Sequence, residues 1–81
     1  MGSGGDLLAA AARAGADLFV TGELRHHDAL RGAAAGMTLV CALHSTTERA
    51  ALGALAASLA AHMGTVTALR SEADREPFTF A

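Results

Sequence analysis

"DLFVTGELRHHDALRGAAAGMTLVCALHSTTE", residues 17–48, decides the fold. It opens on a short apolar run, "DLFVTG" (17–22), that carries Phe19 and Val20 and stops at Gly22. A run of this length, bounded by a glycine, reads as a buried strand. "HHDALRGAAAG" (26–36) changes to helical spacing, with Leu30, Ala33 and Ala34 on one face and Gly36 placed as the stop. "MTLVCAL" (37–43) is a second apolar run without alternation. Parallel strands look like this when both of their faces are covered. A strand, a helix and a strand in that order predict a parallel pair joined by a crossover.

The same rhythm continues on both sides. Upstream, Leu7, Leu8, Ala11 and Ala12 repeat at helical spacing, and Gly15 ends that helix. Downstream, residues 46–62 form the longest helix, with Leu52, Leu55 and Leu59 as a stripe. "TVTALR" (65–70) is a third strand candidate on the strength of Val66 and Thr67. The expected fold is therefore α/β in the order helix-strand-helix-strand-helix-strand. It has two or three layers and a short, mainly parallel sheet of about three strands. "GSGGD" (2–6) reads as a strand-to-helix loop that lacks its strand, so the chain is expected to be a single domain over 1–81 and a piece of a larger protein.

Composition narrows the class. The 81 residues are 52% hydrophobic and 17% charged, which is globular, but Ala supplies half of the apolar count. Ala-rich helices form readily yet bury little area, and burial stabilises by only about 25 cal/mol per Å². A chain of this length buries about 60% of its unfolded surface, so a partner surface is expected, in a homo-oligomer or from another part of the same protein. The net charge of −2, from six Arg, no Lys and eight acids, argues against nucleic acid. No run approaches the roughly 18 apolar residues of a membrane span, and "MGSGGD" has no basic start of a signal peptide. The single cysteine, Cys41, fits a reducing, cytoplasmic setting and reads as an inert core thiol.

Ligands of an open parallel sheet sit beyond the carboxyl ends of its strands. "GSGGD", "TGELRHHD" (21–28) and "LHSTTE" (43–48) fall at such ends and are expected to face one crevice. His44 and Glu48 stand four apart, on one helical face, and their side chains suit zinc or another first-row divalent ion. The same segment also fits a capping box, in which Ser45 caps the helix and Glu48 returns to the Ser45 backbone. His26, His27 and Asp28 offer metal binding, proton transfer or a phosphate contact, or else Asp28 or Thr21 caps the second helix. Adjacent helical residues point about 100° apart, so only one of the two histidines is expected to face the crevice. Glu23 is either catalytic or solvated. "GSGGD" lacks the Lys of a phosphate-binding loop, and a turn with Asp6 as cap fits it better.

"GSGGDLLAAAARAGADLFVTGELRHHDAL" (2–30), "CALHSTTERAAL" (41–52) and "EPF" (76–78) together resemble the C-terminal half of the Nif-three-like family. These are hexameric proteins with a dinuclear metal centre, labelled GTP cyclohydrolase I type 2. The resemblance implies that His44 and Glu48 contribute one His and one Glu to a centre of divalent zinc, iron or manganese ions. It implies that the N-terminal half supplies the remaining ligands, and that His27 and Asp28 line the same cavity. With Glu23 these two are the candidates for proton transfer or substrate contact. The implied activity is metal-dependent hydrolysis, or a cyclohydrolase reaction, on a nucleotide-like substrate once the other half is present. The alternative is a non-catalytic self-association or protein-interaction module.

Overall fold

A computed structural model describes residues 2–81, so Met1 at the head of the glycine-rich loop lies outside the described residues. Two compact units make up the chain, Met1–Glu48 and Arg49–Ala81.

The first unit is the α/β part. A 3-10 turn, Gly5–Leu7, leads into α1 (Leu8–Arg13). β1 (Leu18–Thr21), α2 (His26–Ala34) and β2 (Thr38–Cys41) follow. α3 (His44–His62) begins in this unit. β1 and β2 pair in parallel, with Leu18 opposite Thr38 and Thr21 opposite Cys41. Ser3 adds a single parallel bridge to Glu23, which sets the glycine-rich loop beside the exit of β1.

Both expected glycine stops occur, by one mechanism. Gly15 and Gly36 take positive φ, 77° and 84°, where a Cβ would be strained. After α1, the Gly15 and Ala16 amides donate to the carbonyls of Ala12 and Ala11. After α2, the Gly36 and Met37 amides donate to Ala33 and Gly32. This paired pattern satisfies the last carbonyls of each helix.

The core is small. Leu8 (4% exposed) and Met37 (6%) are its buried apolar side chains. Gly32 lets α2 come close, since a Cβ there would stand 3.0 Å from the Leu39 methyls and 3.3 Å from Leu8. α2 therefore buries Asp28 and Gly32, while Leu30, expected on the inner face, is 58% exposed. The helical repeat was right but the face was not, because close backbone approach favours the residue with no side chain. Leu18, Val20 and Val40 are also exposed. One face of the sheet is thus open within this unit, which makes it two-layered. Cys41 is exposed as well, not a core thiol.

The second unit continues α3 and adds a chain segment without regular structure. The third strand expected over 65–70 does not form, because the sheet has two strands and residues 67–70 carry no secondary structure. A strand exists only by pairing, and two β-branched residues do not supply a partner. Instead Leu52, Leu55 and Leu59 of α3 line a groove with Ala68 and Leu69. Arg49 holds Asp74 by two hydrogen bonds, of 2.7 and 2.9 Å, and donates to the Arg75 carbonyl at 2.6 Å.

Candidate metal half-site

The site begins with a backbone irregularity. Leu43, between β2 and α3, has φ 68°, a left-handed conformation that costs a side-chain-bearing residue about 1–2 kcal/mol. Strain of this kind persists where surrounding structure enforces it, and it gathers at functional sites. Here it turns the chain so that α3 starts at His44. The Thr47 amide donates to the Leu43 carbonyl to close the first turn. Ser45 consequently lies inside the helix, one residue after its start.

The first turn then sets His44 and Glu48 together. His44 Nε2 lies 3.0 Å from Glu48 Oε1. On the other side of the ring, His44 Nδ1 lies 2.9 Å from Glu23 Oε1. All three side chains are about half exposed. The Glu23 carboxylate, hydrogen-bonded to the ring, raises the His44 pKa above its ordinary value; partial desolvation opposes this, and the Glu48 charge adds to it.

Glycines bring the backbone over this trio. Gly2 has φ 68°, and a Cβ on it would stand 3.0 Å from both His44 Nε2 and Glu48 Oε1. A Cβ on Gly22 would come within 2.3 Å of the Gly2 carbonyl oxygen and 2.8 Å of His44 Cα. The Gly2 amide donates to Thr47 Oγ1 at 3.0 Å, and that hydroxyl donates to the His44 carbonyl at 2.8 Å. The glycine-rich loop and the "TGE" turn are therefore built around the head of α3. Asp6 is not at a cap position: the N-caps of the first two turns are Gly4 and Leu7, and neither makes a side-chain cap bond.

The donor set has the chemistry of a transition-metal ligand pair, an imidazole nitrogen and a carboxylate oxygen. Among the described residues no group of three or more His, Cys, Asp or Glu is arranged to hold a metal ion. Geometry explains why Glu23 does not make the third. The two ring nitrogens diverge, so carboxylates on opposite nitrogens cannot converge on one point with the ring. His44 and Glu48 are therefore a pair of donors whose chemistry fits a divalent ion, one short of a three-residue group.

His27 and Asp28 are brought together, but elsewhere. They line a cavity of about 430 Å³ that also holds Arg25, Arg31, Leu8 and Met37. His27 Nε2 lies 3.6 Å from Asp28 Oδ1. Asp28 is buried and accepts a hydrogen bond from the Arg31 guanidinium. That bond, against the effect of desolvation and aided by the charges of His27 and the two arginines, holds the Asp28 carboxyl below its ordinary value. Asp28 does not cap α2, whose N-cap, Arg25, makes no side-chain bond. A single crevice expected to collect "TGELRHHD" and "LHSTTE" resolves into two groups, with Glu23 in one and His27 and Asp28 in the other. The Arg31 partner of Asp28 was not singled out in the sequence, although its i, i+3 spacing signals it.

Residues 1–77 match the family described as Duf34/NIF3 (NGG1p interacting factor 3). The chain is 40% identical over 77 residues to NIF3-like protein 1 of Rattus norvegicus, covering 94% of this chain and 20% of that protein. It is 43% identical over 63 residues to NIF3-like protein 1 of Bos taurus, covering 76% of this chain and 17% of that protein. The chain thus spans about a fifth of the length of the curated relatives it matches. No solved structure matches it. No helix of the described residues is long and apolar enough to cross a membrane.

Proposed function

Because the chain belongs to the Duf34/NIF3 family, we propose that its first unit is half of a divalent-metal site, with His44 and Glu48 as the ligands it contributes. The observation that carries this reading is the 3.0 Å approach of His44 Nε2 to Glu48 Oε1 beneath Gly2. A Cβ would fill the space over the pair, and a residue that leaves such space beside two donors suits a site that admits an ion. Donors from residues outside this chain complete the coordination, in keeping with the small share of its relatives that the chain spans.

Zinc, iron and manganese all accept this donor pair. A bound divalent ion, or a pair of them, supplies Lewis acidity and a water of lowered pKa, which suits hydrolysis of a nucleotide-like substrate. In this reading Asp28, held ionised by Arg31, contacts substrate rather than carrying a proton. His27, which lines the same cavity, is our candidate for proton transfer to a substrate that reaches from there to the metal.

The test is metal content of the full chain after dialysis against zinc or manganese, by elemental analysis. Retained metal that is lost in both His44→Ala and Glu48→Ala supports the reading. Equal content in all three proteins overturns it.

A second reading rests on a different observation. In the second unit Leu55, Leu59, Leu69, Phe78 and Phe80 are all exposed, and α3 contains no buried residue. Apolar surface of this kind suits self-association. Size-exclusion chromatography with light scattering decides it: a homo-oligomer supports the reading, and a monomer at all concentrations removes it.

A further inference from the structure

We propose that Glu23 is a positioning residue that fixes the orientation and tautomer of His44, presenting Nε2 toward Glu48 for a metal ion. The inference rests on the metal reading of His44 and Glu48 and adds to it a residue that does not itself ligate.

Three observations converge. Glu23 Oε1 stands 2.9 Å from His44 Nδ1, a normal charge-assisted hydrogen bond. Glu48 Oε1 stands at the opposite nitrogen, Nε2. A histidine ligates through one nitrogen, and the hydrogen bond made by the other decides which. With Nδ1–H donated to Glu23, Nε2 is free to meet a metal ion on the Glu48 side; in the metal-free ring Glu48 Oε1, 3.0 Å from Nε2, is the competing acceptor that Glu23 has to outweigh. Finally, the Glu23 backbone is tied to the glycine-rich loop by one bond of ordinary length, with two longer contacts at its carbonyl. Its amide donates to the Gly2 carbonyl at 2.9 Å, its carbonyl accepts from the Gly4 amide, and Thr21 Oγ1 donates to that same carbonyl. The carboxylate is thereby anchored at the exit of β1, while the imidazole it orients stands at the head of α3. The pair joins the two strand exits by a side-chain contact spanning 21 residues.

Such carboxylate–histidine pairs set ligand basicity and ring orientation, and losing the outer partner typically lowers metal affinity about 10–100-fold. Glu23→Ala is expected to weaken zinc binding to the full chain by about that factor. Glu23→Gln, which keeps a side-chain oxygen to accept from Nδ1–H, is expected to recover part of it.

A readout independent of affinity comes from nitrogen-15 spectra of the histidine rings in metal-free protein, taken above the pH at which His44 titrates. The expected result is a His44 ring protonated at Nδ1 in the unaltered chain and in Glu23→Gln. In Glu23→Ala the ring shifts toward the Nε2–H form. Amide spectra of each variant report whether the fold persists. A tautomer unchanged by Glu23→Ala in a folded protein overturns the inference even if zinc binds. Zinc that fails to perturb Nε2 of the unaltered chain, with Nδ1–H in place, overturns the metal reading while the orienting bond stands.

Discussion

The two units of this chain are built on different principles. The first, Met1–Glu48, has a parallel sheet, two glycine-capped helices and close backbone contacts at Gly2, Gly22 and Gly32. The second, Arg49–Ala81, has one helix segment and a length of irregular chain, joined by leucines around a groove and by Arg49 bound to Asp74 and Glu76. In the first unit, position is set by backbone hydrogen bonds and by the absence of side chains. In the second, it is set by long side chains that remain partly in water. Precise placement of donor atoms needs the former, and the candidate ligands lie there.

That contrast breaks most visibly at the core. Leu8→Ala, at a buried position, is expected to destabilise the first unit by about 2–5 kcal/mol. Leu55→Ala, at a half-exposed position, is expected to cost less than about 1 kcal/mol. Urea unfolding followed by circular dichroism measures both. Similar costs would show that the two units share one kind of packing.

Glycine substitutions sharpen the comparison by changing sign. Gly22→Ala drives a Cβ into the Gly2 carbonyl and His44 Cα, with an expected loss of about 1–3 kcal/mol. Gly53→Ala, inside α3 with only Arg70 Nη1 at 3.8 Å, is expected to gain about 0.5–1 kcal/mol from helix propensity. Thermal melts of the two variants should move in opposite directions.

Acid is a smaller probe. Asp28 and Asp74 both have carboxyls held below their ordinary value, by hydrogen bonds from Arg31 and Arg49 respectively. For a depressed carboxyl the added stability is present above the unfolded-state value, and it is lost as pH falls through the folded one. Both units are therefore expected to weaken below about pH 4. Asp28→Asn should remove more of this acid sensitivity than Asp74→Asn, because the Asp28 carboxylate is buried whereas that of Asp74 is 44% exposed and better solvated when charged. Unfolding midpoints measured across pH 2–6 compare the two variants, and equal effects would contradict the difference in burial.

What could be read in the sequence follows the same division. β1, β2 and the stops at Gly15 and Gly36 were legible because each rests on a local rule, an apolar run or a positive-φ glycine. His44 with Glu48 was legible because i, i+4 spacing on a helix puts two side chains on one face. The bond from Glu23 to His44 was not, since it joins residues 21 apart that meet only once the strand exits lie side by side. Periodicity misplaced the buried face of α2, because it scores Leu30 above Gly32 where close approach reverses the order. It also offered a third strand at 65–70, because β-propensity carries no information about whether an edge is there to pair with.

The most direct measurement is X-ray absorption at the zinc edge of the zinc-loaded full chain and of single histidine variants. The account predicts imidazole scattering that disappears in His44→Ala and persists in His26→Ala, His27→Ala and His62→Ala. Scattering that survives His44→Ala, or is lost only with another histidine, would contradict it.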